Sequence, residues 1–210
     1  MGLITAIETQ KRRGDRKSIY VDGEFVAGAH EEVVAALYLG VGQVLDKDRL
    51  IELVRAENVR KARESALRLI SYRDRSISEI RKRLVGDEYP DEVIDEVIDQ
   101  LSQVGLLDDQ KFSRDWVKSR SVASSKPMGK VRLAWELKSK GVETPLVEEA
   151  LENIDEDAEY KMALSTAARK VEKMDRGDPL FRNRLISFLR RRGFDWEIIS
   201  KVLDELCSND

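Results

Sequence analysis

The fold is decided by a stretch that recurs along the chain. Residues 129–154 read GKVRLAWELKSKGVETPLVEEALENI, and two other segments align with this one at register shifts of 53 and 52 residues. The aligned sets are Ile80, Leu133 and Leu185; Leu84, Leu137 and Leu189; Tyr89, Val142 and Phe194; Val93, Leu146 and Ile198; Ile94, Val147 and Ile199; Val97, Ala150 and Val202; Ile98, Leu151 and Leu203; and Leu101, Ile154 and Leu206. Because all eight sets are apolar and helically spaced, they predict three copies of one helical unit.

Each copy is predicted to contain three helices that bury apolar stripes against one another. A turn follows the second helix, and Gly141 and Gly193 occupy it, where a helix end favours a left-handed residue. The first copy has Glu88 at that position, with Gly86 and Pro90 close by. We therefore expect a different local turn geometry in the first copy.

The N-terminal residues have a different pattern, with β-branched and aromatic residues between turn formers. Ser18 to Ala27 predicts two short strands joined by a tight turn at Asp22-Gly23, and Ile4 to Thr9 predicts a third strand. Lys11 to Lys17 is predicted to be an exposed basic loop, either a solvated turn or a contact for phosphate or an acidic surface. A short helix should follow over Val33 to Tyr38, and Leu45 should begin the next helix.

These patterns predict a mainly α protein with three tandem three-helix repeats in an elongated, curved array, preceded by a small β-rich N-terminal segment. The expected divisions are 1–56 for the N-terminal segment and 57–107, 108–156 and 157–210 for the three repeats. No stretch approaches the roughly 18 apolar residues of a membrane helix. The N-terminus lacks an export signal, and Cys207 is the only cysteine, so we expect a soluble, cytoplasmic protein.

Charge follows the same period. Residues 55–83, 110–140 and 160–194 carry net charges of +6, +7 and +7, whereas residues 84–109, 141–159 and 195–210 carry −9, −8 and −4. The whole chain has a net charge of only −3. One interpretation is that opposite charges pair locally or keep the surface soluble. The other is a patterned surface that recognises an extended charged partner.

The residue inventory argues against an enzyme. His30 is the only histidine and lies where a short helix should start, so a surface or capping role is expected instead of a zinc site. Asp109 is predicted to be a helix N-cap, although Asp108-Asp109 also resembles an acidic metal pair. No glycine-rich phosphate loop is present. We therefore expect no catalytic residues, no metal and no cofactor.

Two further features bear on binding. Trp116, Trp135 and Trp196 lie at apolar or near-apolar helix positions, which favours core or groove-edge packing over base stacking. Lys126 to Arg132 forms a basic connection into the second helix of the middle copy. It is either a helix-entry loop or a contact for an anionic group.

Motifs in the middle copy resemble a known family. Gly105 to Arg120, which reads GLLDDQKFSRDWVKSR, is similar to the Leu-Asp-Asp, Phe, aromatic-Val and Arg signature of the bacterial RecX regulatory proteins. Gly129 and Glu136 to Val142 resemble further elements of that family, as does Arg73 to Leu84 in the first copy. Ser113, Ile80 and Gly86-Asp87-Glu88 depart from its pattern. The similarity spans about residues 60–206.

This resemblance implies a modulator that lies along the groove of the RecA filament on DNA and restrains recombinase, ATPase and co-protease activity. The expected partner is the RecA filament, with single- or double-stranded DNA as a further partner, and the protein should be a monomer without a membrane partner. The alternative is a direct nucleic-acid binder that uses its basic stripe. The predicted binding residues are Arg12, Arg13, Arg73, Arg75, Arg81, Arg83, Lys118, Arg120, Lys126, Lys130, Arg132, Lys138, Lys140, Arg182, Arg184, Arg190, Arg191 and Arg192.

Overall fold

A computed structural model describes residues 1–10, 13–121 and 124–207. The strands are β1 (Gly2–Gln10), β2 (Arg13–Val21), β3 (Glu24–His30) and β4 (Val44–Leu45). The helices are α1 (Glu31–Ala36), α2 (Lys47–Tyr72), α3 (Ile77–Gly86), α4 (Asp91–Gln103), α5 (Asp109–Arg120), α6 (Lys130–Ser139), α7 (Thr144–Glu152), α8 (Glu156–Val171), α9 (Phe181–Arg192) and α10 (Trp196–Cys207). The prediction of a mainly helical chain after a small β-rich segment is confirmed.

The N-terminal strands form an antiparallel sheet in the order β3-β2-β1-β4. Asp22 and Gly23 both have positive φ, of 52° and 85°, as the predicted tight hairpin turn requires. Leu45 lies in β4, so the prediction that it starts a helix is wrong. β4 pairs with the start of β1, and α2 begins two residues after Leu45, with Asp46 as its N-cap.

The predicted basic loop is largely a strand, because β2 begins at Arg13 and continues through Lys17. Lys11 and Arg12 lie outside the described residues. Arg16 is buried, and its guanidinium lies 3.8 Å from a carboxylate oxygen of Glu88 and 3.5 Å from the carbonyl oxygen of Asp87. The prediction of an exposed loop is therefore wrong at Arg16, whose charge is satisfied from the turn after α3.

Contacts divide the chain into two compact units. Unit 1 comprises Met1–Arg75 and Ile80–Leu107, and unit 2 comprises Ser76–Glu79 and Asp108–Asp210. In unit 1, the sheet packs with α1 and α2 around a core that includes Ile4, Ile19 and Val33. The 26-residue helix α2 runs without interruption through residues 56 and 57, where a boundary was predicted. In unit 2, α5 to α10 share one apolar core.

The three-helix pattern predicted for each copy is present as α2-α3-α4, α5-α6-α7 and α8-α9-α10. The aligned apolar positions explain why. Ile80, Leu133 and Leu185 are fully buried, as are Leu84, Leu137 and Leu189, so both matched positions of each second helix lie in a core. Fully burying such side chains stabilises the fold by about 1.5–3 kcal/mol each.

The turn after the second helix has the same geometry in all three copies. Glu88 has a φ of 59°, close to the values of 77° at Gly141 and 86° at Gly193. The N–H of the next residue, Tyr89 in the first copy, donates to the carbonyl of Leu84 at 3.1 Å, and the equivalent bonds occur in the other two copies. The expectation of a different turn in the first copy is therefore wrong. Glu88 adopts the left-handed conformation although it is not a glycine.

Candidate nucleic-acid and partner interface

A groove in unit 2 gathers several of the predicted binding residues. It lies between α6 and the C-terminal end of α9 and has a volume of about 590 Å³. We call it the arginine groove, and its lining residues are Met128, Val131, Arg132, Trp135, Arg190, Arg191, Arg192 and Gly193.

The groove exists because the end of α9 packs directly on the start of α6. Gly129 N–H donates to the carbonyl of Arg192 at 3.0 Å, and Val131 N–H donates to that of Gly193 at 3.1 Å. A Cβ on Gly193 would lie 2.2 Å from Cβ of Arg132, closer than any side chain tolerates. The missing side chain at Gly193 therefore permits this backbone approach.

A buried carboxylate completes this junction. Glu159 of α8 is 3% exposed, and its carboxylate accepts the backbone N–H of Lys130, the first residue of α6, at 2.9 Å. Burial raises the pKa of the Glu159 carboxyl, while the bond from Lys130 acts in the opposite direction. The negative oxygen satisfies a helix N–H that has no partner within α6.

The same arrangement recurs where α6 ends, against residues 76–79 of unit 2. Ser76 Oγ donates to the carbonyl of Lys140 at 2.6 Å, and a Cβ on Gly141 would lie 2.1 Å from Oγ of Ser78. Asp109 supplies the carboxylate, which accepts Ile77 N–H at 2.8 Å, and burial raises its pKa. We call both arrangements helix junctions.

The prediction that Asp109 caps its own helix is therefore wrong. Asp108 is the N-cap of α5, with its carboxylate 2.9 Å from the N–H of Lys111. Asp109 instead caps the N-terminus of a helix from the preceding copy. His30 does cap α1 as expected, by accepting the N–H of Glu32 at 3.4 Å.

The tryptophans only partly follow the prediction of core or groove-edge packing. Trp116 is half-buried, and its Nε1 donates to Glu136 at 3.2 Å. Trp135 lines the arginine groove but is 58% exposed, with Cζ of Arg132 4.6 Å from its ring centroid. Trp196 is 60% exposed. Trp135 therefore has the predicted groove-edge position, whereas the prediction is wrong for the exposed Trp196.

Arg190 and Arg191 give the groove its charge. Both are exposed, and within the described part of the chain neither takes part in an ion pair. Arg192 is half-buried, and its Nη1 donates to the carbonyl of Lys126 at 3.3 Å. Two cations and an exposed aromatic ring beside apolar Val131 can bind an anionic partner that also offers an apolar or planar group.

Other predicted residues of unit 2 are engaged elsewhere or exposed. Arg120 and Lys140 lie over the Trp116 ring, at 3.9 and 4.4 Å from its centroid. They also pair with Glu136 and Glu79, at 3.6 and 3.2 Å. Lys118, Lys138 and Arg182 are exposed, Lys130 is half-buried at the helix junction, and Lys126 and Arg184 line cavities beside α8 and α9.

In unit 1, three of the predicted arginines have partners close by in sequence or in the same repeat. Arg81 pairs with Asp95 at 2.6 Å and Arg83 with Asp87 at 3.1 Å. Arg73 donates to the carbonyl of Asp74 at 2.8 Å, and Arg75 is half-buried. Arg13 lies in β2, and Arg12 lies outside the described residues. For Arg81 and Arg83, local pairing of opposite charges describes the surface better than an open basic stripe.

Sequence reasoning missed three cations, namely Arg169 and Lys170 in the last turn of α8 and Lys173 just after it, which line cavities next to the arginine groove. Arg169 and Lys173 are four residues apart in the sequence, the spacing of neighbours on one helix face, and this spacing could have indicated the cluster. Within the part of the chain that the structure describes, no group of His, Cys, Asp and Glu is arranged to hold a metal ion. None of the described helices has the length and hydropathy that crossing a bilayer requires.

Comparison with known proteins covers nearly the whole chain. Residues 2–46 match the model of the regulatory protein RecX N-terminal domain. Residues 62–101, 108–151 and 157–203 match the first, second and third three-helix domains of RecX.

Individual relatives agree. The chain is 30% identical to the regulatory protein RecX of Clostridioides difficile (strain 630), over 100% of this chain and 98% of that protein. It is 31% identical to that of Bacillus pumilus (strain SAFR-032), over 98% of this chain and 78% of the relative. A crystal structure of regulatory protein RecX has the same fold, with a TM-score of 0.65 at 23% identity, and covers 97% of this chain and 100% of that one.

Proposed function

Because the chain belongs to the RecX family of regulatory proteins, we propose that it binds the RecA filament on DNA and restrains its recombinase, ATPase and co-protease activities. The role is in DNA repair and the SOS response, and it is exerted through binding instead of catalysis. The protein acts as a cytoplasmic monomer. The relatives are named regulatory proteins, which supports the regulatory part of this proposal.

The observation that carries the proposal is the arginine groove. Arg190 and Arg191 are exposed cations with no ion pair among the described residues, and they lie beside a tryptophan that is 58% exposed. Arginine and tryptophan are the residue types that dominate binding energy at protein interfaces. A nucleoprotein filament offers repeated negative charge together with protein surface. The negative charge can pair with the arginines of the groove, and the protein surface can pack against its tryptophan.

The test follows ATP hydrolysis by RecA on single-stranded DNA as this protein is added. The unaltered protein is expected to inhibit hydrolysis in a concentration-dependent way. The double variant Arg190→Glu with Arg191→Glu should require a much higher concentration, because each reversal replaces an attraction with a repulsion.

The matched control is Lys111→Glu with Arg114→Glu. This pair reverses two exposed cations of α5 in the same unit, outside the groove, and inhibition should persist. Absence of inhibition by the unaltered protein at any ratio would overturn the proposal. Equal loss in both double variants would reject the arginine groove as the contact surface.

A second function, direct binding of nucleic acid, is favoured by one observation. Trp135 is 58% exposed with the Arg132 guanidinium over its ring, and exposed aromatics with cations stack well on bases. Binding to naked DNA through phosphates should weaken steeply as salt increases. If naked DNA binds as tightly as RecA-coated DNA at about 0.15 M salt, this second function replaces the first.

A further inference from the structure

Two adjoining cavities lie beside α8 and α9 of the third copy. The small cavity has a volume of about 250 Å³, and its lining includes Lys126, Arg169, Lys170, Lys173 and Arg192. The large cavity, of about 580 Å³, shares Lys170 and Lys173 with it and adds Arg184 and Arg191. The two cavities are therefore continuous through two lysines.

The small cavity has no negative charge in its wall. Its eight lining residues comprise five cations, two hydroxyl residues and Phe188, with no carboxylate. Across the described ranges, none of the five cations takes part in an ion pair. Like charges confined around one space repel one another, and an anion in that space would convert the repulsion into attraction.

Two of the guanidiniums are already oriented by main-chain acceptors. Arg169 donates from Nη1 to the carbonyl of Ser125 at 2.6 Å and from Nε to that of Ser165 at 3.1 Å. Arg192 donates from Nη1 to the carbonyl of Lys126 at 3.3 Å. Each keeps further N–H donors, and a held guanidinium loses little freedom when it binds a phosphoryl oxygen.

Thr166 also lines the small cavity, but its hydroxyl is not accessible from it. Thr166 of α8 is 5% exposed, and its hydroxyl is buried without a hydrogen bond to any described residue. A buried hydroxyl in that state is destabilising. A phosphoryl group in the small cavity would therefore contact the cations and not this hydroxyl.

The large cavity contains two carboxylates, but both are engaged within the 175–180 turn. Asp178 pairs with Arg184 at 2.5 Å, and its carboxylate also accepts the N–H of Leu180 at 2.9 Å. Asp175 accepts the N–H of Gly177 at 2.9 Å. Lys170, Lys173 and Arg191 remain without an ion pair in the described structure, so the part of the large cavity next to the small one is also cationic.

We propose that the two cavities form a binding site for closely spaced phosphoryl groups, with the first phosphoryl in the small cavity and the next beside Lys170 and Lys173 in the large one. A free polyphosphate and a nucleic-acid strand both present such groups. The site shares Arg191 and Arg192 with the arginine groove. With a strand as its ligand it deepens the second function proposed above, whereas binding of a free polyphosphate needs neither RecA nor DNA.

The experiment measures binding of inorganic tripolyphosphate to the full chain by titration calorimetry, and of a labelled short oligothymidylate by fluorescence anisotropy, at about 0.15 M salt to screen weak surface charge. Lys170→Ala with Lys173→Ala should weaken binding roughly tenfold or more. Lys111→Ala with Arg114→Ala is the control, since it removes the same charge from exposed positions of α5. Far-UV circular dichroism verifies that each variant is folded.

Thr166→Val is a second variant that changes almost no volume. It should leave phosphoryl binding unchanged and the free energy of unfolding unchanged or higher, since it removes an unsatisfied buried hydroxyl that the cavity does not expose. A loss of affinity in this variant as large as that of Lys170→Ala with Lys173→Ala would overturn the assignment of binding to the cations, since Thr166 carries no charge.

Tripolyphosphate binding that depends on Lys170 and Lys173 supports the site with a free polyphosphate as its source. Binding of the oligothymidylate alone, with the same dependence, supports the site with a strand as its source. Absence of binding by both probes overturns the inference. An equal loss of affinity in the two double variants also overturns it, because binding would then depend on the overall charge of the protein and not on these cavities.

Discussion

Replacing Gly193 with alanine tests whether the helix junction between α9 and α6 is as close as its hydrogen bonds indicate. Gly193 has a φ of 86°, a conformation that costs an alanine about 1–2 kcal/mol. Its new Cβ would also lie 2.2 Å from Cβ and 2.3 Å from the backbone nitrogen of Arg132. Relieving that overlap requires α6 to shift, which adds about 1–3 kcal/mol. The expected loss of unfolding free energy is therefore about 2–5 kcal/mol.

Gly105→Ala is the matched control. Gly105 has a φ of 71°, but nothing lies within 4 Å of the Cβ that it would gain. It should lose only the conformational part, about 1–2 kcal/mol. The gain from restricting the unfolded chain is common to both variants and cancels in the comparison.

Urea denaturation measures both variants. Trp116, Trp135 and Trp196 are all of the tryptophans and belong to unit 2, so fluorescence follows the unit that contains Gly193. Far-UV circular dichroism follows Gly105→Ala in unit 1. If Gly193→Ala loses no more stability than Gly105→Ala, the backbone contact at the helix junction is looser than described, and the reasoning fails.

Two other changes have clear expectations. Glu88→Gly should lower the free energy of unfolding, because it removes the carboxylate that pairs with the buried guanidinium of Arg16. This loss should outweigh the gain of about 1–2 kcal/mol when glycine adopts the left-handed turn; a higher midpoint in urea would contradict this. Glu159→Ala should lose about 1–3 kcal/mol, since the N–H of Lys130 is left buried without an acceptor, whereas Glu159→Gln keeps an acceptor and should lose less. Burial raises the pKa of the Glu159 carboxyl in the folded state. The stability that this shift contributes is therefore fully present at pH values below the ordinary carboxyl pKa. It is lost as the pH rises through the pKa that Glu159 has in the folded protein. Urea titrations across this acidic range should therefore show less dependence on pH for Glu159→Gln than for the unaltered protein, and an identical dependence would argue against the buried carboxylate.

The repeating core could be predicted from sequence because burial repeats with the helical period. Leu133 and Leu137 are apolar, four residues apart and matched in two other segments, so each of these observations pointed to the same face. The hairpin at Asp22-Gly23 was predictable for an equally local reason, since those residue types favour positive φ.

The polar features were less predictable because their partners are distant in the sequence. Asp109 has the spacing of a local cap, and only the fold brings it to the N–H of Ile77. Arg16 lies in a basic run, yet a strand carries it to the turn at Asp87 and Glu88. Charge counts identified basic segments but could not tell Arg81, which has a carboxylate partner, from Arg190, which has none among the described residues.

The packing of α9 on α6 also has an electrostatic consequence. The C-terminal end of a helix carries partial negative charge and the N-terminal end partial positive charge, so the peptide dipoles of the two helices neutralise one another where they meet. The carbonyls of Arg192 and Gly193 accept N–H groups of Gly129 and Val131, and they need no cation to balance them. The positive charge of Arg190 and Arg191 is therefore left for solvent, or for a partner that brings negative charge to the groove.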